Sequence, residues 1–441
     1  MRRFLGLLCL PLGLAATPGE APAAEPFRYK EGDHRTGGFK AELKYFGKSS
    51  DSEGVPVLIL EGSPEQIGEQ LGVLAVRQAK PLYDFPRDYF RREGATAVRG
   101  AFPGLPEDKV KAAVDGVLWP RIQKVAMKLE PNFPEAQLAE LDALIKAGQV
   151  DRDRLIAGNG MFDLGHLPRG ELLGGCSSVV IPPQRSATKG PLFGRNLDFS
   201  HFGYLHDYSL LMVYRSSDPK KHSFASAGFP GFVGCFTGMN AAGLTVASHE
   251  VFEPDTAAPF NPRGVPFAMA YRRVLEECAT IGDAVRLLDG IERASVTSLV
   301  VADTTGGAII EVTPDALTVR RFRDKPGVCT NHFCAQKNPK QTDRFATRTR
   351  FDALSRSVAA ERGELLGVEG VKQRLHAVRL VDAGKVDLTI QTFVFEPAER
   401  KVHLRFADGS GPATGGELTT LDLNKLWGKA VESPAKPEGR K

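Results

Sequence analysis

Gly174-Gly175-Cys176-Ser177-Ser178-Val179-Val180-Ile181 is the stretch on which the reading of this chain turns. Two glycines place a sterically open bend before a cysteine, and a β-branched run then carries the chain away as a strand. A precursor that cuts itself needs this local chemistry. The Cys176 thiol must fold back onto the Gly175 carbonyl, move that acyl group from nitrogen to sulfur and let water release it. The freed cysteine would then carry both a nucleophile and a base, because an α-amino group titrates near pH 8, far below a lysine. The plainer reading is a buried cysteine that leads into a strand, the commoner fate of an isolated Cys.

Working outward, residues 1–24 read as an export signal. Arg2 and Arg3 start it, an apolar centre runs from Leu5 to Leu14, and Ala21-Pro22-Ala23 supplies small residues for cleavage. The apolar run is too short to span a bilayer, so a periplasmic or secreted location with no membrane span is expected. Of six cysteines, Cys9 lies in that signal, which leaves five in an oxidising compartment. An odd number requires at least one free or intermolecular thiol, and Cys176 is the candidate; Cys329 and Cys334 could pair with each other. With a formal charge of +4 over 441 residues and no long basic tract, nucleic acid is an unsuitable partner. No CxxC or His-x-x-x-His spacing argues for a metal, and no cofactor is called for.

Before Cys176 the pattern is mainly helical. Ser63-Pro64-Glu65 opens a helix with Ser63 as its cap, and further helices are expected over 106–129, 133–147 (closed by Gly148) and from 153. After Cys176 short β-like runs dominate, at 179–181, 192–197, 208–214, 232–236, 244–248, 297–302, 308–312, 317–322 and 389–395. Helical stretches at 267–288 and from 343 interrupt them. Sheets covered by helices are expected. The expected divisions are a signal at 1–24, a helical pro-segment at 25–175, a catalytic part at 176–432 and a frayed tail at 433–441.

Four downstream stretches could carry chemistry. In Gly194-Arg195-Asn196-Leu197-Asp198-Phe199 a strand would put Arg195, Leu197 and Phe199 on one face and Asn196 and Asp198 on the other. Arg195 could hold the thiolate or a substrate, and Asp198 the new α-ammonium; a surface ion pair is the bland alternative. Asn240, in Gly238-Met239-Asn240, and Asn331, in Thr330-Asn331-His332-Phe333, could donate to an oxyanion or could simply serve turns. Arg344, Arg348 and Arg350 form a basic cluster that could equally be a solvated face. Aromatics beside these stretches, Phe199 and Phe333 among them, could line an acyl site or fill the core.

Gly-Cys, Gly-Arg-Asn-x-Asp, Gly-Met-Asn-x-x-Gly-Leu, Thr-Asn-His-Phe and a late arginine, in that order, resemble one family. The chain is similar to the N-terminal-nucleophile amidohydrolases of the isopenicillin-N acyltransferase group, and also to choloylglycine hydrolases and acid ceramidase. Upstream, Gly62-Ser63-Pro64-Glu65-Gln66-Ile67-Gly68 with Gly72, and 142–148 with Asn159, resemble the pro-segment of that group. The resemblance implies an α+β fold, the αββα sandwich of two antiparallel sheets between helical layers. It implies self-cleavage between Gly175 and Cys176, an α/β heterodimer afterwards, and a small N-acyl substrate whose amide or ester is opened through a thioester. It also implies roles: Cys176 as nucleophile, Arg195 and Asp198 beside it, Asn240 and Asn331 at oxyanion and substrate positions, Arg350 as the late arginine, and Asn196, Phe199 and Phe333 against substrate. Two rivals stay open: a papain-like hydrolase using His249 or His332, and a secreted binding protein in which Cys176 is structural.

Overall fold

The computed structural model describes residues 26–49, 53–164, 174–251, 256, 259–335, 346–359, 365–381 and 387–428. The expected signal, the expected tail and Arg344 lie outside these residues. The upstream part opens with strands β1 (Gly32–Thr36), β2 (Phe39–Phe46) and β3 (Val55–Gly62). Helices α1 (Pro64–Leu71), α2 (Phe85–Ala101), α3 (Glu107–Ala113), α4 (Trp119–Leu129), α5 (Glu135–Gly148) and α6 (Arg152–Leu164) follow. Next come β4 (Gly174–Ile181), β5 (Leu192–Ser200), β6 (Leu210–Ser216), β7 (Phe224–Gly228), β8 (Thr237–Asn240) and β9 (Thr245–Glu250). Helices α7 (Phe267–Glu277) and α8 (Ile281–Asp289) precede β10 (Thr297–Asp303), β11 (Gly306–Val312), β12 (Leu317–Phe322) and β13 (Gly327–Cys329). The chain closes with α9 (Thr347–Ala359), α10 (Val368–Ala377), β14 (Asp387–Glu396), β15 (Lys401–Phe406) and β16 (Thr419–Asp422).

These strands make a ten-stranded sheet, β1-β2-β3-β6-β7-β8-β9-β10-β11-β12, and a six-stranded sheet, β13-β4-β5-β14-β15-β16. Every pairing is antiparallel except β3 with β6, which is parallel from Val57↔Leu211 to Gly62↔Ser216. Alternation along β4 sets the layers. Val180 points between the sheets, packing with Phe193, Phe393, Val213 and Met239, whereas Val179 and Ile181 point outward to Leu354 on α9 and Val371 and Leu375 on α10. The outer face of the large sheet, through Leu58, Leu60, Met212 and Tyr214, carries α1, α5 and α7. The order is helix, sheet, sheet, helix, as expected.

The upstream part is therefore more than helical. Its three strands complete the large sheet, and β3 enters next to β6 of the downstream part. Ser63 caps α1 as expected, in a reciprocal box with Gln66. At the end of α5 the left-handed residue is Gln149 (φ 55°), not Gly148. Gly148 serves close packing instead: a Cβ there would lie 2.4 Å from Val76, and one at Gly68 would lie 2.1 Å from the Glu140 carbonyl oxygen. The upstream glycine motif is thus the seam between α1 and α5.

Two local expectations need correction, and one helix was not expected. Residues 232–236 form no strand; this apolar run is a buried loop, with Val233 N–H held by Asn159 Oδ1 and Cys235 N–H by the Ala268 carbonyl. The expected helix over 267–288 is two helices, because Thr280 and Asp283 form a capping box that starts α8 afresh. Helix α2, with no expectation behind it, is long but begins Phe-Pro and carries mixed polarity.

Candidate active site

Strands β4 and β5 lie side by side in the small sheet, with Gly175 opposite Asp198, Cys176 opposite Leu197 and Ser178 opposite Arg195. Cys176 is 3% exposed, and Arg195, Asp198 and Asn331 are fully buried. Alternation divides the work between two faces. Cys176 and Arg195 turn toward the large sheet, where Arg195 Nε donates to Thr237 Oγ1 at 3.4 Å. Neither Nη of Arg195 finds an acceptor among the described residues. Burial pushes the Cys176 thiol up, and the Arg195 guanidinium pulls against that rise.

The other face holds the backbone. The Cys176 N–H donates to Asn331 Oδ1 at 2.8 Å, and its carbonyl accepts from Arg350 Nη1 at 3.0 Å. Arg350 also donates through Nη2 to Asn331 Oδ1 at 2.9 Å and through Nη1 to Asp198 Oδ2 at 3.1 Å. Thr389 Oγ1 donates to the second Asp198 oxygen. Burial raises the Asp198 carboxyl, with the Arg350 charge opposing it most. A side chain at Gly175 would crowd this site, since a Cβ would stand 3.2 Å from Asp198 and 3.3 Å from Arg350 Nη2.

Five expected residues thus meet around one peptide bond: Gly175, Cys176, Asp198, Asn331 and Arg350, with Arg195 on the thiol side. Arg350, the choice made from the late cluster, is buried, while Arg348 is exposed. Asn331 enters through its oxygen: its Nδ2 donates to the Glu250 carbonyl at 3.0 Å.

Three expected residues stand elsewhere. Asn240 spends Nδ2 on the Leu275 and Cys278 carbonyls and Oδ1 on the Ala242 and Leu244 N–H groups. It lies three residues along β8 from Thr237, about 10 Å on. Its role is the turn reading, joined to α7. Asn196 faces the helical layer, donating to the Leu375 carbonyl at 2.9 Å and accepting from Thr392 Oγ1 at 3.0 Å. Phe333 is packed with Val251 and Val296 and lines neither cavity described below.

Phe199 lines the space beside the sulfur. A cavity of about 30 Å³ beside Cys176 is lined by Arg195, Phe199, Phe236, Ser248 and Glu250, among others. A second, apolar cavity of about 70 Å³ shares its Phe162, Phe199, Phe229 and Phe236 walls and runs out to Leu82, Tyr83 and Pro86 of the upstream part. The histidines take other partners. His249 Nε2 lies 2.8 Å from Ser178 Oγ, and His332 Nδ1 lies 3.0 Å from Thr347 Oγ1. Burial, then Arg195 and Arg350, hold His249 well below the ordinary imidazole range.

Sequence reasoning missed Glu250, Thr347 and Thr389. Glu250 gives its carbonyl to Asn331 and its side chain to the Cys176 cavity, and Thr347 Oγ1 accepts the Asn331 N–H at 2.8 Å. A carboxylate ending the apolar run 244–248 was the available signal for Glu250, and the one-turn spacing of Thr347 from Arg350 was that for Thr347.

Residues 185–410, just over half of the chain, match the family model of acyl-coenzyme A:6-aminopenicillanic acid acyl-transferase. The chain belongs to this family. The match starts downstream of Cys176, so the family assignment does not itself cover that residue. A relative from Archaeoglobus fulgidus, described as an uncharacterized protein, is 26% identical over 330 residues, which are 71% of this chain and 51% of the relative. The chain thus spans about half the length of the curated relative it matches. Among solved structures, a mutant of conjugated bile acid hydrolase from Clostridium perfringens aligns with TM-score 0.41 and 16% identity, over 57% of this chain and 94% of that one. The Caenorhabditis elegans ortholog of N-acylethanolamine-hydrolyzing acid amidase gives 0.38 and 16%, over 56% and 100%. Penicillin V acylase from Agrobacterium tumefaciens gives 0.35 and 17%, over 56% and 91%.

Proposed function

We propose that this protein is an exported, self-processing amidohydrolase or acyltransferase whose nucleophile is Cys176, acting on small N-acyl compounds. One observation carries the reading: Asn331 and Arg350 hold the N–H and carbonyl of Cys176, while the thiol faces Arg195 and an apolar cavity. In the precursor, sulfur attacks the Gly175 carbonyl carbon, the C–N bond breaks, and a thioester forms as Cys176 nitrogen becomes an amine. Water then cleaves the thioester, leaving a carboxylate on Gly175.

The freed α-amine sits where the amide N–H was, with Asn331 Oδ1 as its acceptor and Asp198 adjacent. At its ordinary pKa of about 8 it can take the thiol proton. Thiolate attack on a substrate amide gives a tetrahedral oxyanion, for which the two Arg195 Nη groups are available donors. The leaving amine takes its proton from the α-ammonium, and water or an acceptor amine releases the acyl group. The two pieces remain together as a heterodimer through the β3–β6 pairing.

N-terminal sequencing of the purified protein, together with activity on a panel of N-acyl amides, tests the reading. A fragment starting Cys-Ser-Ser-Val and activity lost in Cys176→Ala are expected. An unbroken chain, or a Cys176→Ala variant that still cleaves itself and its substrate, overturns it.

A further inference from the structure

The apolar cavity behind Cys176 changes character at one place. Its lining is apolar apart from Asn159, whose amide is spent on the Leu155 and Gly231 carbonyls and the Val233 N–H, and Arg154. Beyond it lies a cavity of about 230 Å³, lined by Asp84, Arg87, Trp119, Gln123, Asp151 and Asp153. Only Tyr83 and Arg154 line both. Arg154 is held there: its Nη1 lies 2.8 Å from Asp84 Oδ1, which lies 3.1 Å from Arg87 Nη2. Going outward from the sulfur, the wall passes from phenylalanine rings to an ion pair across a single pair of residues.

We propose that Tyr83 and the Arg154–Asp84 ion pair are the end stop of an acyl-chain site, fixing the longest unbranched, uncharged chain the protein takes with its carbonyl end at Cys176. The direction of the chain rests on the proposed function; the stop itself needs only a chain seated in the cavity. Each methylene in the apolar part gains about fourfold in affinity. A methylene pushed past Arg154 gains nothing, because it must part an ion pair and then lie among hydrated carboxylates and guanidinium groups. All the residues of the stop belong to the part upstream of Cys176, on α6 and on the turn before α2.

Trp119 provides a readout independent of turnover, since it lines the outer cavity, whereas the other tryptophan, Trp427, is packed between the sheets. Full-length protein carrying Cys176→Ala is titrated with saturated fatty acids of increasing length, each bearing a terminal bromine that quenches indole on contact. Affinity should rise about fourfold per carbon and then level off, with Trp119 unquenched. Adding Arg154→Leu should move the plateau out by about two carbons, roughly fifteenfold for the longer acids, and quenching should appear. Asp84→Asn, which releases Arg154, should act in the same direction. A plateau that stays put in both variants, or smooth quenching of Trp119 with length in the unaltered lining, overturns the stop. The same lengths as N-acyl aminocoumarins, given to the cleaved enzyme, separate the two ideas. Hydrolysis at all lengths without a ceiling rejects the stop and keeps the amidase, while no hydrolysis at any length alongside a plateau moved by Arg154→Leu rejects the amidase and keeps the stop.

Discussion

Arg350 and Cys176 donate to one atom: Nη2 of the arginine and the backbone N–H of the cysteine reach Asn331 Oδ1 at 2.9 and 2.8 Å. A single amide oxygen thereby couples the bond expected to break to a buried cation, which itself leans on Asp198.

Replacing Asn331 by Ala leaves both donors buried without that acceptor. A loss of about 1–3 kcal/mol in stability is expected, and self-cleavage should slow on the order of a hundredfold. Urea melts and a gel time course measure the two; cleavage at the ordinary rate would show that this contact does not position the bond.

Gly175→Ala should slow cleavage by crowding Asp198 and Arg350, both within 3.3 Å of the added carbon. Gly100→Ala is the control. Nothing lies within 4 Å of its Cβ position in α2, so it should process normally and gain about 0.5–1 kcal/mol. Equal cleavage rates for the two variants would contradict the crowding.

The Cys176 thiol lies above its ordinary range in the uncut chain because it is buried, with Arg195 lowering it again. Alkylation by iodoacetamide should therefore be slow at neutral pH and quicken only in alkaline solution. Arg195→Leu should move that profile further alkaline, since the thiolate loses its neighbouring positive charge. A profile left unmoved would place the guanidinium away from the sulfur.

Between the upstream and downstream parts, Arg272 on α7 binds Glu140 on α5 through a two-toothed contact and Glu276 at 2.8 Å. Arg272→Met strands the buried Glu140 carboxylate and leaves Glu276 with Lys221 alone, and should cost about 3–5 kcal/mol, read from the urea midpoint. Burial already holds Glu140 above the usual carboxylate range, against the pull of Arg272. The folded state thus binds more protons than the unfolded one between the ordinary and raised values, and stability falls as pH rises through that window. Removing Arg272 widens the window upward, so the deficit should shrink as pH is lowered. A deficit independent of pH would mean that Glu140 is not the stranded group.

Much of this was legible in the chain. The strand leaving Cys176 and the two faces of 194–199 follow from alternation, which is local, while the preference for Arg350 comes from the family resemblance and from the Phe351 and Leu354 that follow it. Asn240 was not legible: an Asn before a glycine turn looks the same whether its amide reaches a substrate or the end of a helix, and only the position of α7 decides. Asn196 failed for a related reason, because period-two alternation gives the face but not what covers it. The run at 232–236 has strand composition, yet α6 and α7 bury it as a loop. Thr389 acts through contacts distant in sequence, for which spacing carries no mark.

The pairing of β3 with β6 has a consequence for how such a protein can change over time. The residues gathered around the Gly175–Cys176 bond, from Cys176 to Thr389, lie downstream of it, whereas Tyr83, Asp84 and Arg154 lie upstream of it. On the proposed function and the proposed end stop, reactivity and selectivity would be inherited on separate stretches of chain, joined by a shared sheet. Exchanging the first stretch between relatives should retune what is accepted while the chemistry stays as it was.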